Sequence, residues 1–335
     1  MNSKLKAATP LWRKALGIFG AVLSLIVFPF GCEQSGDPRP SVVEEALGLE
    51  NVNSLYCALE AIAPGEITGS GSEGTFPAAR TVTLSAYEIA AYETTYQLWY
   101  AVRDWALRHN YVFANKGREG SNGDTGAPPA SERLPVTCIS WRDAAVWCNA
   151  YSEADGKEPV YYTSKDEVLR SASSETKVTQ DIDDIRVKAD KSGYRLPTEA
   201  EWEAAARGGK PSTSTSSTNM WNYLYAGSPN IFDVAWNNTT EAREVGDKTK
   251  NGANLYDMSG NVWEWCYDWY AANVGDGTVL DPSGPLYSTS TTKRIARGGS
   301  WYTTDDSLCS VRARHSMLPY TTVDSVGFRV VLQNP

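Results

Sequence analysis

The chain has 335 residues, 21% of them charged, and a net charge of −9, which allows one large packed domain or two small ones. The acidic balance argues against nucleic acid or an anionic membrane surface as the main partner, since both select for clustered lysine and arginine. Its 12 Trp and 18 Tyr against 7 Phe, with 27 Gly, speak against a helical bundle and for an irregular fold in which polar-tipped rings bridge loops.

In chain order, Lys4, Lys6, Arg13 and Lys14 form a basic start, residues 16–30 are apolar, and Gly31-Cys32 follows. The apolar run is too short for a comfortable membrane span and fits the hydrophobic part of a signal peptide. A cysteine after a small residue at its end resembles a relaxed bacterial lipobox, with Pro29 and Phe30 where Leu and a small residue are usual. Residues 1–31 are therefore read as a lipoprotein signal peptide, Cys32 as the lipidated residue, and residues 32–41 as a polar tether. An ordinary signal peptide cleaved nearby, or an uncleaved anchor, are the alternatives; all three export the chain. The expected location is a bacterial membrane reached through a lipid anchor, at the outer membrane or cell surface. Removing the leader's four bases takes the net charge to about −13. With Cys32 acylated, Cys57, Cys138, Cys148, Cys266 and Cys309 remain, an odd number with no CxxC spacing, so a zinc site is not expected. Cys148 and Cys266 sit among aromatics and read as small core residues.

Residues 42–335 show no break of linker character. Residues 116–135 and 210–219 are Gly/Ser/Pro-rich but flanked by patterned sequence, and read as long surface loops within one domain. Three helices are predicted from their starts: Thr94-x-x-Gln97, Ser140-x-x-Asp143 and Thr198-x-x-Glu201, each a hydroxyl followed three residues on by a group that can reach back. Strand-like runs cover residues 81–89, 160–163, 294–297 and 327–332. Short helices, short strands and long loops define an irregular α+β domain.

Several motifs occur together: Tyr87-Glu88-Ile89 with Tyr92-Glu93-Thr94-Thr95; Pro135-Val136 to Trp141-Arg142-Asp143-Ala144; Tyr194-Arg195-Leu196-Pro197-Thr198-Glu199-Ala200-Glu201-Trp202-Glu203; Asn254-Leu255-Tyr256-Asp257-Met258-Ser259-Gly260-Asn261-Val262-Trp263-Glu264-Trp265; Arg297-Gly298-Gly299-Ser300-Trp301; and Gly327-Phe328-Arg329. In this order, from about residue 80 to the end, the set resembles the formylglycine-generating-enzyme (sulfatase-modifying factor) domain family. The resemblance implies a C-type-lectin fold low in regular secondary structure. Arg195 with Glu201, or Arg297 with Glu264, are candidate buried charge pairs, and Trp202, Trp263, Trp265 and Trp301 candidate filling.

The family's oxidases use two cysteines just after the Gly-Gly-Ser-aromatic motif to bind copper, a metal that suits soft thiolates. Here Thr303 stands at the first of those positions and Cys309 matches the second only loosely, so no catalytic residue is carried over. The family's iron-dependent branch needs a histidine-rich site, whereas this chain has only His109 and His315. His109 ends a helix, where a cation is welcome. Some members bind calcium at positions matching Asp257 and Glu264 by side chain and Gly260 and Val262 by carbonyl; a possible structural calcium is therefore expected there, with no cofactor required. The alternative is that Asp257 caps a turn and Glu264 pairs an arginine.

Residues 302–332 contain no Lys, Glu, Gln or Asn. Apart from arginine their polar positions are Tyr, Thr, Asp, Ser and His, with Cys309, and those five types all arise from one asparagine codon by changing its two adenines. The segment, at about residues 297–332, resembles the variable region of lectin-fold proteins diversified by retroelements, and the whole chain a spirochaetal variable lipoprotein of that kind. Such a composition is that of a paratope. Tyr302, Thr303, Thr304, Asp306, Ser307, His315, Ser316, Tyr320, Thr321, Asp324 and Ser325 are expected to point outward over Trp301, Val311, Val326 and Phe328. Arg312 and Arg314 could go either way, outward or inward, with pairing to core carboxylates as the default. The implied function is non-catalytic binding of a protein or glycan ligand through this C-terminal surface, with the membrane as a partner only through the lipid. A copper-dependent oxidase of the formylglycine-generating type is the alternative.

Overall fold

The computed structural model describes residues 58–69, 74–209, 220–285 and 292–333. The leader, Cys32, the tether, Cys57 and the loop at 210–219 lie outside the described residues.

Local capping chemistry sets two of the three long helices where the sequence places them. Ser140 Oγ accepts from the Asp143 N–H (3.1 Å) while Asp143 Oδ2 accepts from the Ser140 N–H (3.0 Å), opening the Trp141–Ala154 helix. Thr198 and Glu201 repeat the arrangement at the start of Glu199–Ala206. The Tyr96–Leu107 helix begins one residue later than read: its cap is Thr95, whose Oγ1 accepts from the Leu98 N–H (3.3 Å). Thr94 is instead engaged by its backbone, donating to the Phe328 carbonyl and accepting from the Val136 N–H.

The strand-like runs are subdivided. Residues 81–89 form two strands, Arg80–Leu84 and Tyr87–Ala90, in different sheets. The corner between them is held by Ser85, whose N–H and hydroxyl both donate to the Asp281 carboxylate at 2.7 Å. The C-terminal run divides likewise into Val326–Gly327 and Val331–Leu332. One four-stranded sheet runs Leu59–Ile62, Tyr87–Ala90, Val331–Leu332, Tyr194–Arg195, antiparallel throughout, so the last strand closes the domain between early and middle strands. A second runs His315–Met317, Arg294–Arg297, Trp263–Trp269, Val326–Gly327, its last pair parallel. A third places Gly277–Leu280 parallel to Arg80–Leu84, with Gly65–Thr68 on the other side.

Rings fill the space between these short elements. Trp99 and Trp147 stack at 6.0 Å, and Phe328 meets both edge-on at 6.1 and 5.4 Å. Cys148 and Cys266 are buried with this apolar filling, as read. His109 follows the Tyr96–Leu107 helix and stacks on Trp105 at 3.7 Å. Among the described residues no helix is long and apolar enough to cross a membrane.

Candidate ligand-binding face

The segment after the second sheet's central strands is held from below by Arg297, which donates to its backbone, while Arg314 and Arg329 tie its own ends to the rest of the domain. Arg297 is fully buried; its Nη2 donates to Glu203 Oε2 and to the Val311 carbonyl, each at 2.7 Å, and its Nη1 to the Ala313 carbonyl at 2.7 Å. Arg314 makes a fork with Glu199 at 2.6 Å on both oxygens and donates to the Ala271 carbonyl. Arg312 is half-buried and lends its carbonyl to Arg297. Further on, Arg329 forks onto Glu264 at 2.7 Å twice and donates to the Ala90, Ala91 and Tyr256 carbonyls. A buried guanidinium needs hydrogen-bond partners, and backbone carbonyls from distant elements supply most of them here, although Arg297 Nε stays buried without one.

Other scaffold groups pin the same segment. Leu224 accepts from the Val311 N–H, the Asn238 and Thr239 N–H groups donate to the Thr303 and Trp301 carbonyls, and Trp263 donates to the Ser325 carbonyl. Trp301 Nε1 donates to the Asp324 carbonyl (3.1 Å). Gly299 lies at φ +81° against Cys309, and a Cβ there would sit 2.4 Å from the sulfur.

Over this pinned backbone Tyr302, Thr304, Asp306, Ser307 and His315 are exposed, Tyr302 at 71%. Ser316, Tyr320, Thr321, Asp324 and Ser325 are half-buried. Tyr320 lies under the Arg142 guanidinium at 5.5 Å, and His315 stacks on Trp263 at 4.8 Å. Burial and nearby Lys293 lower the His315 pKa. Trp301, Val311, Val326 and Phe328 lie buried beneath, as expected. Thr303 corrects the expectation. It is 8% exposed, and its Oγ1 accepts from the Ser300 N–H at 3.0 Å, which turns it inward.

The sequence reading missed a flank. Residues 224–238 run beside the segment, joined to it through Leu224 and through Asn237, whose amide donates to Asp306 at 2.7 Å. They present Phe232 at 75% exposure, on a helical turn, Ile231–Val234, whose other apolar residues are buried. A lone aromatic at a non-core position of an Asn-capped turn was the available signal.

The expected charge pairs are half right. Arg195 forks onto Glu201 at 2.7 Å. Arg297 and Glu264 are cross-strand partners but do not pair, because Glu264 is committed to Arg329 and accepts from Trp202 Nε1 at 2.7 Å. The calcium set suffers from the same commitment. Both Glu264 oxygens accept from Arg329. Asp257 accepts from the Gly246 N–H with Oδ2 (2.7 Å) and leaves Oδ1 buried without a partner, while burial lifts its carboxyl to about 6. Of the two expected carboxylate ligands, Glu264 is thus engaged by Arg329 and Asp257 keeps one oxygen without a hydrogen bond. At the positions the family's oxidases use for copper, Thr303 offers a hydroxyl engaged with Ser300 in place of a sulfur, and burial pushes the Cys309 thiol up to about 12.

Residues 57–334 match the sulfatase-modifying factor enzyme 1-like domain, and the chain belongs to that family, with its C-type-lectin fold. Among its relatives, Treponema denticola variable protein 1 superposes with a TM-score of 0.64 at 29% identity, covering 82% of this chain and 95% of that one. Chaperone protein LppX of Paenibacillus barcinonensis is 31% identical over 245 residues, 66% of this chain and 71% of that protein. A formylglycine-generating enzyme of Thermomonospora curvata is 34% identical over 156 residues, 41% of this chain and 49% of that protein. The family thus includes an enzyme as well as a variable protein, and membership alone does not decide catalysis.

Proposed function

We propose that this protein is a non-catalytic, ligand-binding member of the family that recognises a protein or glycan through Tyr302, Thr304, Asp306, Ser307 and His315. Ser316, Tyr320, Thr321, Asp324 and Ser325 extend that face. It is exported and held at a bacterial membrane by a lipid on Cys32, with display at the outer surface. The observation that carries this reading is the separation of roles in residues 302–325. The backbone is fixed by donors and acceptors from elsewhere in the domain, so the outward side chains are free to change without loss of the fold. Similarity to a variable protein across nearly that protein's whole length supports it. The function requires no cofactor, and nucleic acid is not a partner.

The test is a library randomised at Tyr302, Thr304, Asp306, Ser307 and His315. Most members should fold with melting temperatures near the parent's, and selection on an arbitrary protein target should yield binders. A library in which most members fail to fold would sink the reading. The oxidase alternative is decided by Cu(I) titration of the purified protein, for which no tight stoichiometric binding is expected.

A further inference from the structure

Around the Glu199–Ala206 helix lies a charged cluster of four arginines, Arg80, Arg207, Arg297 and Arg314, and three carboxylates, Glu199, Glu203 and Asp268. Glu203 pairs with Arg207 and Arg297 at 2.7 Å, and Glu199 with Arg314 at 2.6 Å. Asp268 Oδ2 accepts from the Glu199 N–H at 2.8 Å. Arg80 is left over. It is 6% exposed, makes no ion pair with a described residue, donates from Nη1 to the Thr75 carbonyl at 3.0 Å, and keeps Nε buried with no partner. An unpaired buried guanidinium is expensive, and its desolvation shows in a lowered pKa. With Nη1 occupied and Nε enclosed by protein, Nη2 is the donor left to make a charge-assisted hydrogen bond to a carboxylate oxygen.

Arg80 lines a cleft of about 550 Å3, large enough for a small organic molecule. Its buried lining includes Arg80, Glu199 and Asp268, and its exposed lining includes Leu280, 69% accessible, beside half-buried Val279. We propose that this cleft binds a small organic carboxylate, with its charged end on Nη2 of Arg80 and its apolar part along Val279 and Leu280. The site is separate from the recognition face and does not depend on that reading.

Isothermal titration of the purified full chain tests it, with hexanoate as the probe, hexanamide as its neutral counterpart and inorganic phosphate as an anion without an apolar part. Saturable hexanoate binding is expected, at least tenfold tighter than that of either control. Arg80→Gln should abolish it. Should that variant not fold, Leu280→Glu at the exposed rim should weaken hexanoate at least tenfold with an unchanged melting temperature. No hexanoate binding, equal binding of hexanamide or phosphate, or hexanoate affinity unaltered in a folded Arg80→Gln or in Leu280→Glu would overturn the proposal.

Discussion

At the scale of single residues, the account divides side chains into those that hold the face and those that fill it. Arg297 holds it, joining Glu203 to the carbonyls of Val311 and Ala313. Arg297→Met leaves Glu203 with one cation fewer and the carbonyls without donors, so it should cost about 3–5 kcal/mol in urea denaturation. Tyr302→Ala, at an exposed position, should stay within about 0.5 kcal/mol of the parent by the same measurement. Two buried carboxyls give a pH signature. Burial raises Asp257 to about 6 and, with Glu199 nearby, raises Asp268 to about 8. Both lie above the unfolded value of about 3.9, so the native state binds the extra protons. Their contribution is complete below about pH 4 and is lost as pH rises, through about 6 for Asp257 and about 8 for Asp268. Asp268→Asn keeps an acceptor for the Glu199 N–H but has no proton to lose. Its stability should therefore fall less than the parent's between pH 6 and pH 8, and equal slopes would contradict the assignment.

At the scale of elements, legibility followed how local the deciding interaction is. The caps at Ser140 and Thr198 were readable because both halves of each exchange lie within four residues. Thr198→Ala should cost about 1 kcal/mol and loosen the helix that carries Glu199 and Glu203, a change measurable as faster amide exchange in Glu199–Ala206. Thr94 and Thr95 offered two equivalent starts, and the choice fell to bonds from Phe328 and Val136, which sequence spacing does not reveal. The corner that divides residues 81–89 depends on Asp281, remote in the chain. Arg195 found its partner six residues on, whereas Arg297 is set by competition: Arg329 reaches Glu264 from the link between Val326–Gly327 and Val331–Leu332, and Arg297 turns to the helix instead. The recognition segment was legible as composition, since its polar types are so restricted. The inward turn of Thr303 and the flank carrying Phe232 were not, because each depends on what the backbone meets on the far side.

At the scale of the whole molecule, two positions that the family's metal sites use are engaged by this chain's own groups. Glu264 serves Arg329, and Thr303 serves the turn at Ser300. Stripping divalent cations with a chelator should therefore leave the melting temperature unchanged within about 1 °C, whereas a tight structural ion would shift it by several degrees. The central claim is that a fixed scaffold carries an exchangeable surface, and sequencing the 3′ end of this gene in many isolates tests it most directly. The account predicts substitutions concentrated at codons 302, 304, 306, 307, 315, 316, 320, 321, 324 and 325, with Arg297, Gly299, Trp301, Val311 and Arg329 constant and a near-copy of the segment close by. A uniform 3′ end with no such copy would contradict it.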